Sequence, residues 1–210
     1  MTYIFDFDGT LVDSMDVWAG SHIKKLEENG ISVPDDFVST ITPLGNLNAS
    51  KYTISLGIDV TLDEYLEDIS RKLNFEYRHN VKLKSNVKST LEKLKSEGVS
   101  LNVFTASPHS YIDDCLKING VYHLFDNVWS ISDFGHTKDE IIAYKLLVER
   151  LGVDISECVF FDDNLVAVKT SKKAGLTTVA VYDKYSKPNE KAMREIADYY
   201  INDFSEIFDF

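Results

Sequence analysis

Cysteine is almost absent from this chain of 210 residues: Cys115 and Cys158 are the only two, far apart and without a C-x-x-C spacing. That excludes a disulfide framework and a cysteine zinc site, and both thiols read as reduced core residues of a cytoplasmic protein. Histidine is sparse as well. His22, His79, His109, His123 and His136 include no i, i+4 pair, so a histidine metal site is not expected. Positive charge is short: 22 Lys and Arg stand against 34 Asp and Glu, a net charge of −12. So acidic a surface argues against nucleic acid and anionic membranes as partners. It also requires that any anionic substrate be drawn in by a local field, from a metal, a lysine or a helix N-terminus. No apolar run approaches the ~18 residues of a membrane span, and the N-terminus lacks the basic and apolar regions of a signal peptide.

What is there is the composition of an ordinary globular protein, 44% hydrophobic and 12% aromatic, long enough for one medium domain with a small insert. Tyr3-Ile4-Phe5-Asp6-Phe7-Asp8-Gly9-Thr10 organises the rest. An aromatic run of strand character delivers two aspartates into a Gly-Thr turn, and strand alternation predicts that Asp6 and Asp8 share a side. Two carboxylates at a buried strand end repel each other and are costly to desolvate, so they call for a cation or a shared proton. The combination suits a Mg²⁺ site. Four fixed residues of this kind recur by chance roughly once in 10⁵ positions.

Residues 15–81 are predicted to be all helix. Asp13 or Ser14 is placed to cap a first helix with Met15, Trp18, Ile23 and Leu26 on its apolar face, stopped by Asn29-Gly30. A short second helix runs through Phe37, Val38 and Ile41 and is broken by a turn at Thr42–Asn46. A third spans Leu47 to Leu56, and the capping-box pattern Thr61–Glu64 opens a fourth. From Ser85 strands and helices alternate, which implies parallel strands joined by right-handed crossovers. Predicted strands lie at Val99–Phe104, Val128–Ile131, Cys158–Phe161 and Thr178–Tyr182, with an edge strand at Tyr199–Ile201. A helix is predicted over Asp139–Leu151. The fold class is α/β, a doubly wound parallel sheet with an inserted all-helical domain. Such sheets bind ligands at the carboxyl ends of their strands.

Asp6-Phe7-Asp8-Gly9-Thr10-Leu11-Val12-Asp13-Ser14 resembles the first motif of the haloacid dehalogenase superfamily, most of whose members are Mg²⁺-dependent phosphatases and phosphomutases. Three further motifs follow in order. Val103-Phe104-Thr105-Ala106-Ser107 resembles the second, Lys138 in His136-Thr137-Lys138-Asp139-Glu140 matches the third, and Val159-Phe160-Phe161-Asp162-Asp163-Asn164 resembles the fourth. Many relatives carry a proline soon after the third-motif lysine; here Asp139-Glu140 follows, and Lys145 is the alternative cation. Taken alone, Thr105 is an ordinary strand-end hydroxyl and Asp162-Asp163-Asn164 an ordinary helix cap. The resemblance covers the whole chain. It implies a core of residues 1–14 and 82–210, with a helical cap of residues 15–81 that is hinged near 13–16 and 80–85 and closes over the site.

The resemblance also implies residue roles. Asp6 is the nucleophile that forms an aspartyl-phosphate, and Asp8 the general acid and base. Thr105, the Ala106 amide and Lys138 hold the transferring phosphoryl. Mg²⁺ is held by Asp6, the Asp8 carbonyl and Asp163, with Asp162 close. An acid at position 8 favours phosphoryl transfer over carbon–halogen cleavage. The substrate implied is a small phosphorylated metabolite, and the protein a cytoplasmic monomer or weak homodimer. Two alternatives stay open: a phosphomutase of the β-phosphoglucomutase type, and a non-catalytic phosphate-binding regulatory protein. Mutases of that type usually carry an arginine in the cap loop and a lysine just after the second motif. Here an uncharged Thr42–Asn48 segment and Pro108 stand there.

Overall fold

The computed structural model describes residues 1–209; Phe210, the last residue of the expected core segment, lies outside them. The chain divides into two compact units, one of Met1–Asp13 with the segment from Lys82 onward, the other of Ser14–Val81.

The Ser14–Val81 unit contains α1 (Met15–Glu28), α2 (Phe37–Ile41), α3 (Gly45–Ser55) and α4 (Leu62–His79). Helix α4 begins at the predicted capping box: the Thr61 hydroxyl accepts from the Glu64 amide, and the Glu64 carboxylate from the Thr61 amide. Its Tyr65, Ile69, Leu73 and Tyr77 recur at helical spacing and are buried. Lys25 of α1 pairs with Asp68 of α4 at 2.5 Å, and Lys72 with Glu28 at 2.7 Å. Ser14 occupies the N-cap of α1, yet its side chain makes no capping bond. The predicted Thr42–Asn46 turn is instead helical. Thr42–Leu44 forms a 3₁₀ turn and α3 starts at Gly45, two residues before the predicted position. Gly45 makes the joint possible: at φ 67° and ψ 168° it leaves helical geometry for one residue and so redirects the chain between the 3₁₀ turn and α3.

His22 is fully buried in this unit. Its Nδ1 lies 2.9 Å from the Tyr65 hydroxyl and 3.5 Å from that of Thr53, and Trp18 meets the ring edge-on at 5.1 Å. Its Nε2 has no hydrogen-bond partner among the described residues. Burial lowers the imidazole from 6.5 to about 4, so it is neutral at physiological pH.

The other unit is built on a six-stranded sheet of β1 (Thr2–Phe5), β2 (Ser100–Thr105), β3 (Asn127–Ser130), β4 (Cys158–Asp162), β5 (Thr177–Val181) and β6 (Tyr199–Ile201). All pairs are parallel, in the order β3-β2-β1-β4-β5-β6, with Thr2 opposite both Ser100 and Cys158. The chain winds outward from β1 in one direction through β2 and β3, and from β4 in the other. The order therefore reverses between β1 and β4, and a crevice opens at their carboxyl ends. Helices α5 (Val87–Ser96), α6 (His109–Ile118), α7 (Ile141–Leu151), α8 (Leu165–Ala174) and α9 (Glu190–Ile196) complete this unit.

Alternation sorts the sheet's aromatic residues onto two faces. Phe5 stacks on Phe161 at 4.6 Å and meets Phe204 at 5.9 Å. On the other face Ile4, Phe104 and Phe160 pack with Tyr144 and Leu147 of α7. Truncating a fully buried phenylalanine such as Phe160 to alanine costs roughly 3–5 kcal/mol. Helix α7 starts at Ile141, two residues later than predicted. Lys138 therefore lies in a turn, closed by the Glu140 amide on the Thr137 carbonyl at 3.0 Å, and not in a helix. Among the described residues no helix is long and apolar enough to cross a membrane.

Candidate active site

The strand β1 ends one residue before Asp6, whose amide still donates to the Phe161 carbonyl at 2.8 Å. The chain then turns back on itself: the Phe7 carbonyl accepts from the amides of Leu11 and Val12, and the Gly9 amide donates to Val12. Alternation consequently does not carry through Asp8, and the two aspartates find different partners. Gly9 sits at φ 70°, and a Cβ there would fall 2.6 Å from Asp163 Oδ2. Only glycine permits both the turn and the close approach.

Strand β4 brings up the second acidic pair. Asp162 and Asp163 are buried, as is Asp6, and ligand oxygens of the three lie within 4.8 Å of one another. Asp163 is clamped on both oxygens: the Thr10 hydroxyl donates to Oδ1 and the Ser186 hydroxyl to Oδ2, each at 3.1 Å. The Asp163 amide donates back to Thr10 Oγ1. Asp162 Oδ1 accepts from the Asn164 amide at 2.7 Å, and Asn164 caps α8 through Oδ1. Burial pushes the Asp162 carboxyl up to about 7 against the pull of Lys138, and burial with the neighbouring carboxylates raises Asp163 well above its usual range.

Lys138 enters from the turn before α7. Its Nζ donates to Asp6 Oδ1 and, at 2.8 Å, to Asp162 Oδ2. Only 12% of its side chain is exposed. The Phe160 and Phe104 ring centroids lie 5.5 and 5.9 Å from the ammonium. Burial opposes the charged lysine most strongly, but Asp162 and Asp6 together overcome it and hold the ammonium above its ordinary range. The Tyr144 hydroxyl donates to the Lys138 carbonyl at 3.0 Å and steadies the turn.

The carboxyl end of β2 supplies Thr105, whose buried hydroxyl accepts from the Ser107 amide at 3.2 Å, and the exposed Ala106. The Ser107 hydroxyl donates to Asp8 Oδ2. Asp6, Asp162, Asp163 and Lys138 thus form one cluster. Asp8 stands outside that carboxylate triad and belongs with Ser107 beside Thr105 and Ala106. Lys145 is exposed on α7. His109 is engaged by Asp113 at 3.3 Å and Asp133 at 2.9 Å. A cavity of about 350 Å³ touches Ala106 and Pro108 on one side and Gly135, His136 and Thr137 on the other. Sequence reasoning missed Ser107, Tyr144 and Ser186, and gave Thr10 no role. Ser107 was within reach, two residues beyond Thr105; Ser186, on the loop after β5, carries no signal at all.

Three buried carboxylates cluster together, two of them bonded to the Lys138 ammonium, and the donor set is all oxygen. That suits a hard divalent cation such as Mg²⁺, which takes few carboxylates together with water and phosphate oxygens.

Residues 3–181 match the family of haloacid dehalogenase-like hydrolases. The chain belongs to that family. Among curated members, the pyrophosphatase PpaX of Bacillus velezensis is 28% identical over 85% of this chain and 81% of its own. The phosphoglycolate phosphatase of Pasteurella multocida is 27% identical over 97% and 94%. The fold is shared with a crystal structure described as a predicted phosphoglycolate phosphatase from Haemophilus somnus, at a TM-score of 0.86 and 21% identity over 99% of this chain and 96% of that one. Within the haloacid dehalogenase-like hydrolases, then, this chain is an enzyme with an inserted helical unit.

Proposed function

We propose that this hydrolase is a Mg²⁺-dependent phosphatase that cleaves a small phosphorylated metabolite through an aspartyl-phosphate. The observation that carries the reading is the Asp6–Lys138–Asp162 contact beside Asp163. A buried carboxylate is held in one orientation by a cation that also neutralises an incoming phosphate. Asp6, Asp162 and Asp163 would hold Mg²⁺, together with the Asp8 carbonyl; when bound, the ion offsets the charge of carboxylates and phosphate.

Asp6 attacks phosphorus while the bond to the leaving oxygen breaks, and Asp8 delivers its proton to that oxygen. Asp8 then takes a proton from water, whose oxygen attacks phosphorus, and the Asp6–phosphorus bond breaks to release inorganic phosphate. Thr105, the Ala106 amide and Lys138 carry the charge of the transferring group. Ser107 orients Asp8 between the two half-reactions. In this reading Ser14–Val81 serves as the cap and the sheet unit as the catalytic core. Phosphatase-named relatives of comparable length support a phosphomonoester or pyrophosphate substrate. Buried Cys115 and Cys158, free of any disulfide, accord with a cytoplasmic enzyme; its expected state is a monomer or weak homodimer.

The test is phosphate release from a panel of phosphorylated metabolites, with Mg²⁺ or EDTA, alongside Asp6→Asn. Mg²⁺-dependent release lost in the variant is the expected result. No release from any compound would sink the phosphatase. Interconversion of sugar phosphates with a bisphosphate activator would then establish a mutase, and Mg²⁺ and phosphate binding without turnover a regulatory protein.

A further inference from the structure

The loop after β5 connects the acidic cluster to a distant part of the sheet unit. Lys84 follows the point where the chain re-enters that unit, and its amide donates to the Leu11 carbonyl at 3.0 Å. The Lys84 side chain is 17% exposed and reaches across to the loop. Its Nζ lies 3.0 Å from Asp183 Oδ2 and donates to the Tyr182 carbonyl at 2.8 Å. Asp183, 3% exposed, then organises the loop itself. Its Oδ1 accepts from the Tyr185 amide at 2.9 Å and its carbonyl from the Ser186 amide at 3.1 Å. That places the Ser186 hydroxyl 3.1 Å from Asp163 Oδ2, to which it donates.

We propose that Lys84, Asp183 and Ser186 form a positioning relay that fixes the orientation of Asp163 for the divalent cation. The proposal rests on the metal role given to Asp163 above. The physical reason is rotational. A carboxylate bonded on one oxygen turns about its Cβ–Cγ bond, whereas Asp163 is held on both, by Thr10 and by Ser186. Ser186 lies on a loop, so it holds Asp163 only as firmly as that loop is held. A buried Lys84–Asp183 pair with two further backbone bonds supplies the anchor. The relay also ties the cation site to the segment that leads out of the helical unit.

Calorimetric titration of Mg²⁺ into metal-free protein tests the relay without reference to turnover. Ser186→Ala is expected to weaken Mg²⁺ binding about tenfold, the range for partners that orient metal ligands, and Ser186→Thr, which keeps the hydroxyl, to restore it. The double variant Lys84→Met/Asp183→Asn replaces a neutral pair by a neutral pair, so any change in affinity reports geometry and not net charge. A loss of roughly threefold or more is expected there. Far-ultraviolet circular dichroism checks that each variant is folded. Affinities within about twofold of wild type in folded Ser186→Ala and in the double variant would overturn the relay. A wild-type chain that binds no Mg²⁺ would instead overturn the metal assignment on which the relay rests.

Discussion

Acid should loosen the helical unit through His22. The imidazole is fully buried among Trp18 of α1, Thr53 of α3 and Tyr65 of α4, none of them charged at neutral pH. Burial depresses it from 6.5 to about 4. The unfolded chain therefore takes up a proton near pH 6.5 that the folded unit refuses until about pH 4. The stability this withholds is fully present above pH 6.5 and is lost as pH falls toward 4. Between pH 7 and pH 5 the loss comes to about 2 kcal/mol, saturating at about 3 kcal/mol below pH 4. The assay is urea unfolding at both pH values in constant Mg²⁺, followed by Trp18 fluorescence in a Trp129→Phe background. His22→Asn keeps a hydrogen-bonding group but takes up no proton. The raised Asp162 and Asp163 push stability the other way on acidification, equally in both proteins, so the difference isolates His22. Equal losses between pH 7 and pH 5 in wild type and His22→Asn would refute the reasoning.

Gly9→Ala puts a side chain on a left-handed residue, at a cost of roughly 1–2 kcal/mol, and drives its Cβ into the Asp163 carboxylate. Thermal denaturation should show a lower midpoint, with a smaller gain on adding Mg²⁺ than wild type shows. Lys138→Met leaves Asp6 and Asp162 facing each other without their cation. In EDTA the urea midpoint should fall by the equivalent of roughly 3–5 kcal/mol, with part of the loss recovered in Mg²⁺. Ser107→Ala removes a hydrogen bond to Asp8. It should lower kcat by roughly 10- to 100-fold while calorimetry finds the Mg²⁺ affinity unchanged.

The parts of the fold that the sequence announces are those where one local rule is sufficient. The buried strand β4 shows in the sequence as the apolar run Cys158–Phe161, and the Thr61–Glu64 box marks its helix start to the residue. Gly152 and Gly175, both in the left-handed region, end α7 and α8 where a helix-stop rule puts them. Failures occur where a side chain's task outweighs local propensity. Asp139 and Glu140 suit a helix start, yet the chain delays α7 so that Lys138 can reach Asp6 and Asp162 from a turn. Asp8 obeys strand alternation on paper, but the Phe7 turn hands it to Ser107. The two acidic strand ends were legible as a site because repelling carboxylates need a reason to be adjacent. Ser186 was not, since its hydrogen bond to Asp163 spans 23 residues of sequence.

The manner in which the helical unit is spliced in has an evolutionary consequence. Leu11–Asp13 and Lys82–Lys84 run antiparallel, with Val12 bridged to Leu83 and the Asp13 amide donating to the Lys82 carbonyl at 2.9 Å. The cut ends of the sheet unit are therefore already zipped together, as at the open end of a hairpin. Whatever lies between them, long or short, begins and finishes at one spot on the surface. A lineage could shorten Ser14–Val81, exchange it or reduce it to a tight turn without rethreading a single strand. The ladder that sets Asp6 beside Asp162 would be inherited unchanged, while the insert drifted at its own rate.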